Sequence, residues 1–455
     1  MRVLFIGTML WSLGDRKGTP AMYWCLKGFA ENGHEVIGIF PTNDRTLPRK
    51  FEYDGMEFHL VYIPLVPYAG TFSHTTSVYG MSYRYPLLHK LWSGLFFMLF
   101  FWRAVWLGLR ICMKRRVGLI YAVTHGGVSP AAFLARILRK PVVSRLFGTS
   151  FHPGKATEWW WLDRVSDVLA FLWRTDALVM ANDGSHGDKV ARRLGVPAEK
   201  VFFWIDGVEK ESLLGGHDVE KLRRELGLKE QGRVVVMLAR LAEEKRVDRG
   251  IRAFELIARE MGDVQLVIVG DGEMREELEV QAAATDCADR IKFVGMKPRG
   301  ELAGYYYLAD VFLYTSRRTS LSNPVLEAMA CGCAMVVEDA GGVRDICRDG
   351  ENAILVKQDD SEGTARAVLE LLRDEGKRRR LSENARETGK TEVQSWRERA
   401  AREVDMAEEL TRRYHLHVNP RSPKFSLLPG VTWPKVFTGR SGGVEGAAKR
   451  DSEKL

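Results

Sequence analysis

Two cations five residues apart follow a strongly apolar run in the second half of the chain. Arg240 and Lys245 come directly after RVVVMLA (233–239), a pattern that predicts a buried strand followed by a charged loop. Doubly wound α/β domains bind ligands beyond the carboxyl ends of their parallel strands. Two cations fixed there can bind a diphosphate and neutralise the charge that develops on it as it leaves. Because Arg246 and Arg249 are nearby, the same segment could instead be a solvated basic loop.

Glycines mark the ends of the next two predicted strands. Gly270 follows QLVIV, and Gly295 follows IKFV. A glycine at a strand end lets a planar base approach the backbone closely, because it has no Cβ. Ordinary turns of α/β domains also favour glycine, so each position is equally consistent with a simple turn.

The segment SNPVLEAMACGCAMVV (322–337) predicts a helix that ends at a glycine before another strand. Residues at its start, Asn323 and Leu326, can present backbone groups, since amides at a helix N-terminus face phosphates or hydroxyls. The carboxylate of Glu327 can accept hydrogen bonds from a ribose diol. A glutamate at this place could also serve only the helix dipole or a cap.

The elements that must position these residues follow each other in the same order at two places in the chain. Strand, helix and parallel strand occur at 2–40 and again at 233–269, which predicts an α/β protein with two doubly wound parallel sheets. The expected organisation is a first α/β domain at 1–205, a linker at 206–231, a second α/β domain at 232–390, a helix at 391–414, and a disordered, proline-rich tail at 415–455.

Charge and tryptophan are concentrated in the first domain. Residues 1–205 carry 25 basic and 14 acidic side chains and ten of the twelve tryptophans. The net charge of the whole chain is +8. Membrane headgroups, phosphates and nucleic acid are all candidate partners for such a surface. The basic residues are interspersed with acids and no nucleic-acid-binding signature occurs, so no nucleic-acid partner is expected. Six cysteines and a short N-terminal apolar run (MRVLFIG) favour a cytoplasmic location.

Residues 91–113 (LWSGLFFMLFFWRAVWLGLRICM) are exceptionally apolar. A spanning helix needs about 20 apolar residues, and Arg103 interrupts this run after twelve. The spacing of Arg103, Arg110 and Lys114 predicts one cationic helix face opposite leucine, phenylalanine and tryptophan. Three interpretations stay open: a helix lying in the plane of a membrane surface, a core helix of the first domain, and a transmembrane span.

The order RLAEEK, LVIVGDGE, IKFVG, NPVLEAMACG and AGGVRDICRDGENAILV resembles the retaining glycosyltransferases of family 4 (glycosyl transferase group 1). The resemblance covers about residues 1–410 and is most specific at 233–357. It implies the GT-B fold, in which two Rossmann-like domains face each other across a cleft. The domain at 1–205 would then lie on the acceptor side, the domain at 232–390 would bind the nucleotide sugar, and the helix at 391–414 would pack back toward the first domain. It also implies a retaining hexosyltransferase that moves a sugar from a UDP- or GDP-sugar to an acceptor, and the acceptor we expect is lipid-linked or a cell-surface glycan precursor.

The resemblance implies no tightly bound cofactor besides the nucleotide-sugar co-substrate, and no metal, which agrees with the absence of a D-x-D triplet. A lipid-linked acceptor and the basic first domain suggest a cytoplasmic enzyme that contacts the inner face of the cell membrane peripherally. The family's site residues correspond here to Arg240 and Lys245 for the diphosphate, Glu327 for the ribose, Gly18 and Thr19 for phosphate binding from the opposite domain, and His125 near the transferred sugar. His125 could alternatively be a buried histidine at a strand end.

One departure from the family weakens the functional expectation. The family's usual pair of glutamates, separated by seven residues, retains its second member in Glu327, but Thr319 occupies the first position. A catalytically weakened sugar-nucleotide-binding or scaffold subunit of a glycan assembly complex is therefore the alternative function.

Overall fold

The structure of the protein is a computed structural model that describes residues 1–8, 20–64, 86–148, 165–317 and 321–417. The predicted roles of Gly18, Thr19 and Thr319, and all but the first three residues of the predicted disordered tail at 415–455, lie outside these residues.

Eight strands of the described chain form the first sheet, in the order β3-β4-β2-β1-β5-β6-β7-β8. All neighbouring pairs are parallel except β3 and β4. The strands are β1 (Arg2–Gly7), β2 (Glu35–Thr42), β3 (Lys50–Tyr53), β4 (Met56–Tyr62), β5 (Leu119–Val123), β6 (Val142–Leu146), β7 (Ala177–Ala181) and β8 (Val201–Trp204).

The second sheet has six parallel strands in the order β11-β10-β9-β12-β13-β14. This is the strand order of a Rossmann-type doubly wound sheet. Its strands are β9 (Arg233–Leu238), β10 (Val264–Val269), β11 (Ile291–Gly295), β12 (Val311–Tyr314), β13 (Met335–Glu338) and β14 (Ile354–Val356). β9 and β10 are apolar along nearly their whole length because helices cover both faces of the sheet.

Helices connect the strands and cover both sheets. In the first half they are α1 (Pro20–Glu31), α2 (Pro86–Lys114), α3 (His125–Leu138), α4 (Val165–Leu172) and α5 (Gly187–Arg193). In the second half they are α6 (Lys210–Leu213), α7 (Val219–Glu225), α8 (Val247–Glu260), α9 (Arg275–Ala283), α10 (Arg299–Leu308), α11 (Asn323–Cys331), α12 (Ser361–Arg373), α13 (Glu375–Thr391) and α14 (Trp396–His417). Two doubly wound α/β units are thus present, as the sequence predicts.

The chain passes between the two units twice, and the two passages lie side by side. The amide of Val208 donates to the carbonyl of Gln394 at 3.0 Å, and the amide of Trp396 donates to the carbonyl of Val208 at 3.1 Å. Helix α14 then lies against α1, where Val404 and Ala407 join the hydrophobic core of the first unit. The residue numbers of the domain boundaries stay predictions.

Helix α2 contains the apolar segment 91–113 and is two-sided. Phe96, Phe100 and Ala104 are buried against the first sheet and α3. The opposite face exposes at least 50% of each of five apolar residues, Leu95, Met98, Trp102, Trp106 and Met113. In the part of the chain that the structure describes, α2 is the one helix long and apolar enough to cross a membrane.

The expected separation of cations from tryptophans on α2 is wrong. The guanidinium of Arg110 lies 4.5 Å from the ring centre of Trp106, so the cations border the exposed apolar face instead of opposing it. The physical reason is that the sheet and α3 bury one face of the helix, with Phe96 and Phe100. Trp102 and Trp106 remain exposed together with the cations Arg103, Arg110 and Lys114.

Candidate active site

The loop after β9 carries both predicted phosphate-binding cations. A short 3₁₀ turn, Glu243–Lys245, forms in this loop, and the amide of Lys245 donates to the carbonyl of Ala242 at 2.9 Å. Arg240 is 51% exposed on its side chain and pairs with Glu244, four residues further on. Both cations therefore lie at the carboxyl edge of the second sheet, as expected.

Lys245 is held by a chain of hydroxyl groups. Its Nζ lies 3.1 Å from the hydroxyl of Tyr314, a buried residue at the end of β12. The same hydroxyl accepts a hydrogen bond from Ser322 Oγ at 2.7 Å, and Ser322 is the residue before α11. The cation is thereby connected to the start of the helix that carries Glu327.

Gly270 and Gly295 bring three strand ends together. The amide of Gly270 donates to the carbonyl of Gly295 at 3.0 Å. Gly270 has a φ of +139°, and a Cβ there would come within 1.9 Å of the carbonyl oxygen of Ala239. Only glycine fits this position. No side chain of residue 270 therefore covers the backbone beside the loop that carries Arg240 and Lys245, which we call the cation loop.

Glu327 is only 5% exposed and is engaged by two groups that the sequence analysis missed. The hydroxyl of Tyr306 donates to Glu327 Oε2 at 2.7 Å, and the guanidinium of Arg299 lies 3.7 Å from Oε1. Burial raises the pKa of Glu327, which Arg299 and Tyr306 counteract, while the carboxylate of Glu209 adds to the rise. The basic character of Arg299, four residues after Gly295, was the signal available in the sequence.

The start of α11 offers backbone groups more readily than side chains. Asn323 is its first residue and is partly exposed, whereas the side chain of Leu326 is fully buried in the core. Leu326 could therefore reach a ligand only through its backbone. Pro324 follows Asn323 within the first turn, where its missing N–H costs no helical hydrogen bond.

His125 lies in the first unit, as the first residue of α3 directly after β5. The residue before it, Thr124, has a φ of 65°, and its hydroxyl accepts a hydrogen bond from the amide of Thr8 at 3.1 Å. Gly127 packs so closely that a Cβ would lie 2.2 Å from the carbonyl oxygen of Ile6. These contacts fix His125 at the carboxyl edge of the first sheet.

The carboxyl edges of the two sheets face each other. Asn182, which follows β7, donates from Nδ2 to Asp345 Oδ2 at 2.6 Å. Beside this contact, a Cβ on Gly184 would lie 2.6 Å from the amide nitrogen of Gly342, in the loop after β13. The arrangement places a histidine on one wall of a cleft and two cations, a buried carboxylate and helix amides on the other, which suits an anionic leaving group between two substrates.

Comparison with known proteins agrees with this geometry. Residues 218–388 match the family model described as glycosyl transferases group 1. Over 290 residues the chain is 29% identical to the alpha-D-kanosaminyltransferase of Streptomyces kanamyceticus, which covers 60% of this chain and 73% of that protein. Over 304 residues it is 28% identical to the GDP-mannose-dependent alpha-(1-6)-phosphatidylinositol monomannoside mannosyltransferase of Mycolicibacterium smegmatis, covering 65% and 78%.

Solved structures show the same fold. Alr3699/HepE of Anabaena, in complex with UDP, superposes with a TM-score of 0.66 at 18% identity and covers 90% of this chain and all of that one. The match at residues 218–388, the named relatives and the shared fold together identify the chain as a glycosyltransferase with the GT-B fold.

Proposed function

We propose that the protein transfers a hexose from a UDP- or GDP-sugar to an acceptor at a membrane surface, with retention of anomeric configuration. The observation that carries the donor assignment is the placement of Arg240 and Lys245 in one loop at the carboxyl edge of the second sheet. Two cations there stabilise the diphosphate as it leaves. In this proposal Glu327 binds the ribose diol, and the backbone beside Gly270 and Gly295 receives the base.

The relatives support a nucleotide-sugar donor without selecting one. HepE was solved with UDP-glucose as well as UDP, and the mycobacterial relative is named for GDP-mannose. In the proposed reaction the bond between the sugar and the diphosphate breaks as the acceptor hydroxyl attacks from the same face, and the departing diphosphate oxygen takes up the proton of that hydroxyl. Arg240 and Lys245 neutralise the leaving group, and His125 lies near the acceptor. This same-face route is the one that retaining stereochemistry without a protein nucleophile requires.

Helix α2 supports an acceptor at a membrane. Its exposed apolar face, bordered by Arg103, Arg110 and Lys114, is suited to lie in the headgroup region of an anionic bilayer. The mycobacterial relative is named for a phosphatidylinositol mannoside acceptor, which is a lipid. The proposal includes a cytoplasmic protein that is attached peripherally to the inner face of the cell membrane.

Mass spectrometry of reaction products tests the proposal. Purified protein is incubated with a panel of UDP- and GDP-sugars and extracted membrane lipids, and products are sought whose mass rises by one hexose. Nuclear magnetic resonance of the new anomeric proton then assigns retention or inversion. Tight binding of a sugar nucleotide with neither transfer nor donor hydrolysis would favour the scaffold function instead.

A further inference from the structure

A carboxylate outside the predicted site lies directly behind the cation loop. Glu338 is the last residue of β13 and is only 2% exposed. Its Oε2 accepts a hydrogen bond from the amide of Ser316 at 2.9 Å, and the carboxylate also accepts from the amide of Asp359. One buried side chain thus ties together the segments that follow β12, β13 and β14.

The segment that contains Ser316 holds the cation loop in turn. The hydroxyl of Thr315 donates to the carbonyls of Lys245 and Arg246, each at 2.9 Å. The amide of Arg317 donates to the carbonyl of Glu244 at 2.9 Å. A shift of Ser316 away from Glu338 would therefore move the backbone of Lys245 itself.

We propose that Glu338 is a positioning residue that holds the diphosphate-binding cation loop in place through Ser316. The inference rests on the proposed function, because it assigns to the loop the task of binding a nucleoside diphosphate. Glu338 touches neither substrate in this proposal, and acts only through the backbone of residues 315–317 and 244–246.

The charges around Glu338 make its protonation state responsive near neutrality. Burial raises the pKa of this carboxyl to about 7, the carboxylate of Asp359 adds to the rise, and Arg246 and the two amides oppose it. Arg246 is shared, since it also pairs with Asp248 and Asp359. Above its pKa the ionised carboxylate is the stronger acceptor for the amide of Ser316. Below it, the protonated acid resembles a glutamine in charge and shape.

The substitution Glu338→Gln tests this proposal through the ratio of wild-type to variant nucleotide affinity, compared at two pH values. Affinity for UDP and for GDP is measured by titration calorimetry at pH 6 and pH 8 on the wild-type protein and on the variant. The variant should bind about as well as the wild type at pH 6, and five- to tenfold more weakly at pH 8. Asp176→Asn is the matched control, because Asp176 also accepts a backbone amide, that of Val142, in the first domain.

Hydrogen–deuterium exchange gives a second readout that needs no ligand. After correction for intrinsic rates, residues 315–317 and 244–246 should exchange several-fold faster in the variant at pH 8, and the wild type should show the same acceleration on going from pH 8 to pH 6. The wild-type comparison remains decisive if the variant does not fold.

The calorimetry and the exchange measurement distinguish failure of the proposed function from failure of the proposed role of Glu338. A wild type that binds neither UDP nor GDP would refute the proposed function. Hydrogen–deuterium exchange would still decide the role of Glu338 in that case. A wild-type-to-variant affinity ratio that is equal at both pH values, or exchange in these loops that does not respond to pH, would overturn the positioning role and leave Glu338 a purely structural residue.

Discussion

The hydroxyl of Tyr314 lies 3.1 Å from Nζ of Lys245, and Ser322 donates to the same hydroxyl from the start of the next helix. A lysine has four rotatable bonds, so a fixed acceptor removes much of the entropy that its side chain would lose on binding an anion. The pairing also couples the loop after β9 to β12 and α11. The cation is therefore oriented before any ligand arrives.

Removing either cation should slow the reaction. We expect Lys245→Ala and Arg240→Ala each to lower kcat by about 10²-fold or more, the size typical of one lost donor to a developing anion. Circular dichroism and the melting temperature should stay close to wild type. Arg252→Ala, an exposed arginine on the following helix, is the matched control and should retain full activity. Normal turnover in both cation variants would refute their assignment.

Losing the hydroxyl of Tyr314 should slow the reaction less than losing the charge of Lys245. Tyr314→Phe keeps the ring and removes the hydroxyl that accepts from both Lys245 and Ser322. We expect a fall of roughly fivefold to tenfold in kcat/KM, equivalent to one ordinary hydrogen bond of about 1 kcal/mol. Ser322→Ala should give a smaller effect in the same direction. Steady-state kinetics with the identified donor measures both. A Tyr314→Phe variant as impaired as Lys245→Ala would mean that the phenol itself participates.

Glu327 should report on nucleotide binding. Glu327→Gln keeps the shape but removes the charge, and hydrogen bonds to a charged acceptor contribute about 1.5–3 kcal/mol. We expect affinity for the free nucleoside diphosphate to fall at least tenfold in titration calorimetry. Tyr306→Phe leaves the charge and removes one buried donor, so it should destabilise the fold more than it weakens binding. Unchanged affinity in Glu327→Gln would make this carboxylate structural.

The sequence predicted the strands and the cation loop but not the contacts that orient the site. Apolar runs such as RVVVML report burial directly, because a parallel strand covered on both faces must be apolar throughout. Tyr314 and Lys245 are brought together only by the alignment of β12 beside β9. Glu338 is an acidic residue in a single sequence and would ordinarily be read as exposed, since carboxylates are rarely buried without partners.

The buried ion cluster at the end of the first sheet illustrates the same limit. Glu403 of α14 is 3% exposed on its side chain, lies 2.9 Å from Arg399, and is 3.8 Å from Arg145 of β6. Arg145 also pairs with Asp206 of the linker at 3.1 Å. Residues that look like surface charges in the sequence thus join the linker, the last helix and the core of the first domain.

Removing the shared carboxylate should be costly. Glu403→Leu leaves two buried guanidiniums short of a partner, and breaking a buried pair typically costs about 3–5 kcal/mol in the free energy of unfolding. Urea titration measures the change, with Glu409→Gln as the control, because exposed ion pairs contribute no more than about 1 kcal/mol. A loss in Glu403→Leu as small as that of the control would show that water reaches the cluster.

The pH dependence of this cluster follows from the direction of the shift. Burial raises the pKa of Glu403, but Arg145 and Arg399 outweigh burial and hold it below its ordinary value of 4.5. The native state therefore binds fewer protons than the unfolded chain in this range. The stabilisation is complete above the ordinary value and is lost as the pH falls through the native pKa. Glu403→Leu should lose this acid-range dependence.

The exposed face of α2 predicts attachment to anionic membranes. Three cations near an anionic surface contribute about 1 kcal/mol each, so changing Arg103, Arg110 and Lys114 together to glutamine should weaken vesicle binding by about 10²-fold. Replacing Trp102 and Trp106 by glutamine removes apolar burial instead, and should weaken binding to anionic vesicles at high salt as well as at low salt.

Co-sedimentation with vesicles that contain phosphatidylglycerol measures both effects, and the wild type should be largely released by high salt. Leu214→Gln, at an exposed leucine of the linker, is the matched control and should bind like the wild type. Because Phe96 and Phe100 of the same helix are buried in the core, a charge at either should unfold the first domain without testing the membrane face. Wild-type protein that stays in the supernatant at low salt would refute membrane attachment. Protein that resists both high salt and alkaline extraction would indicate that α2 inserts across the bilayer.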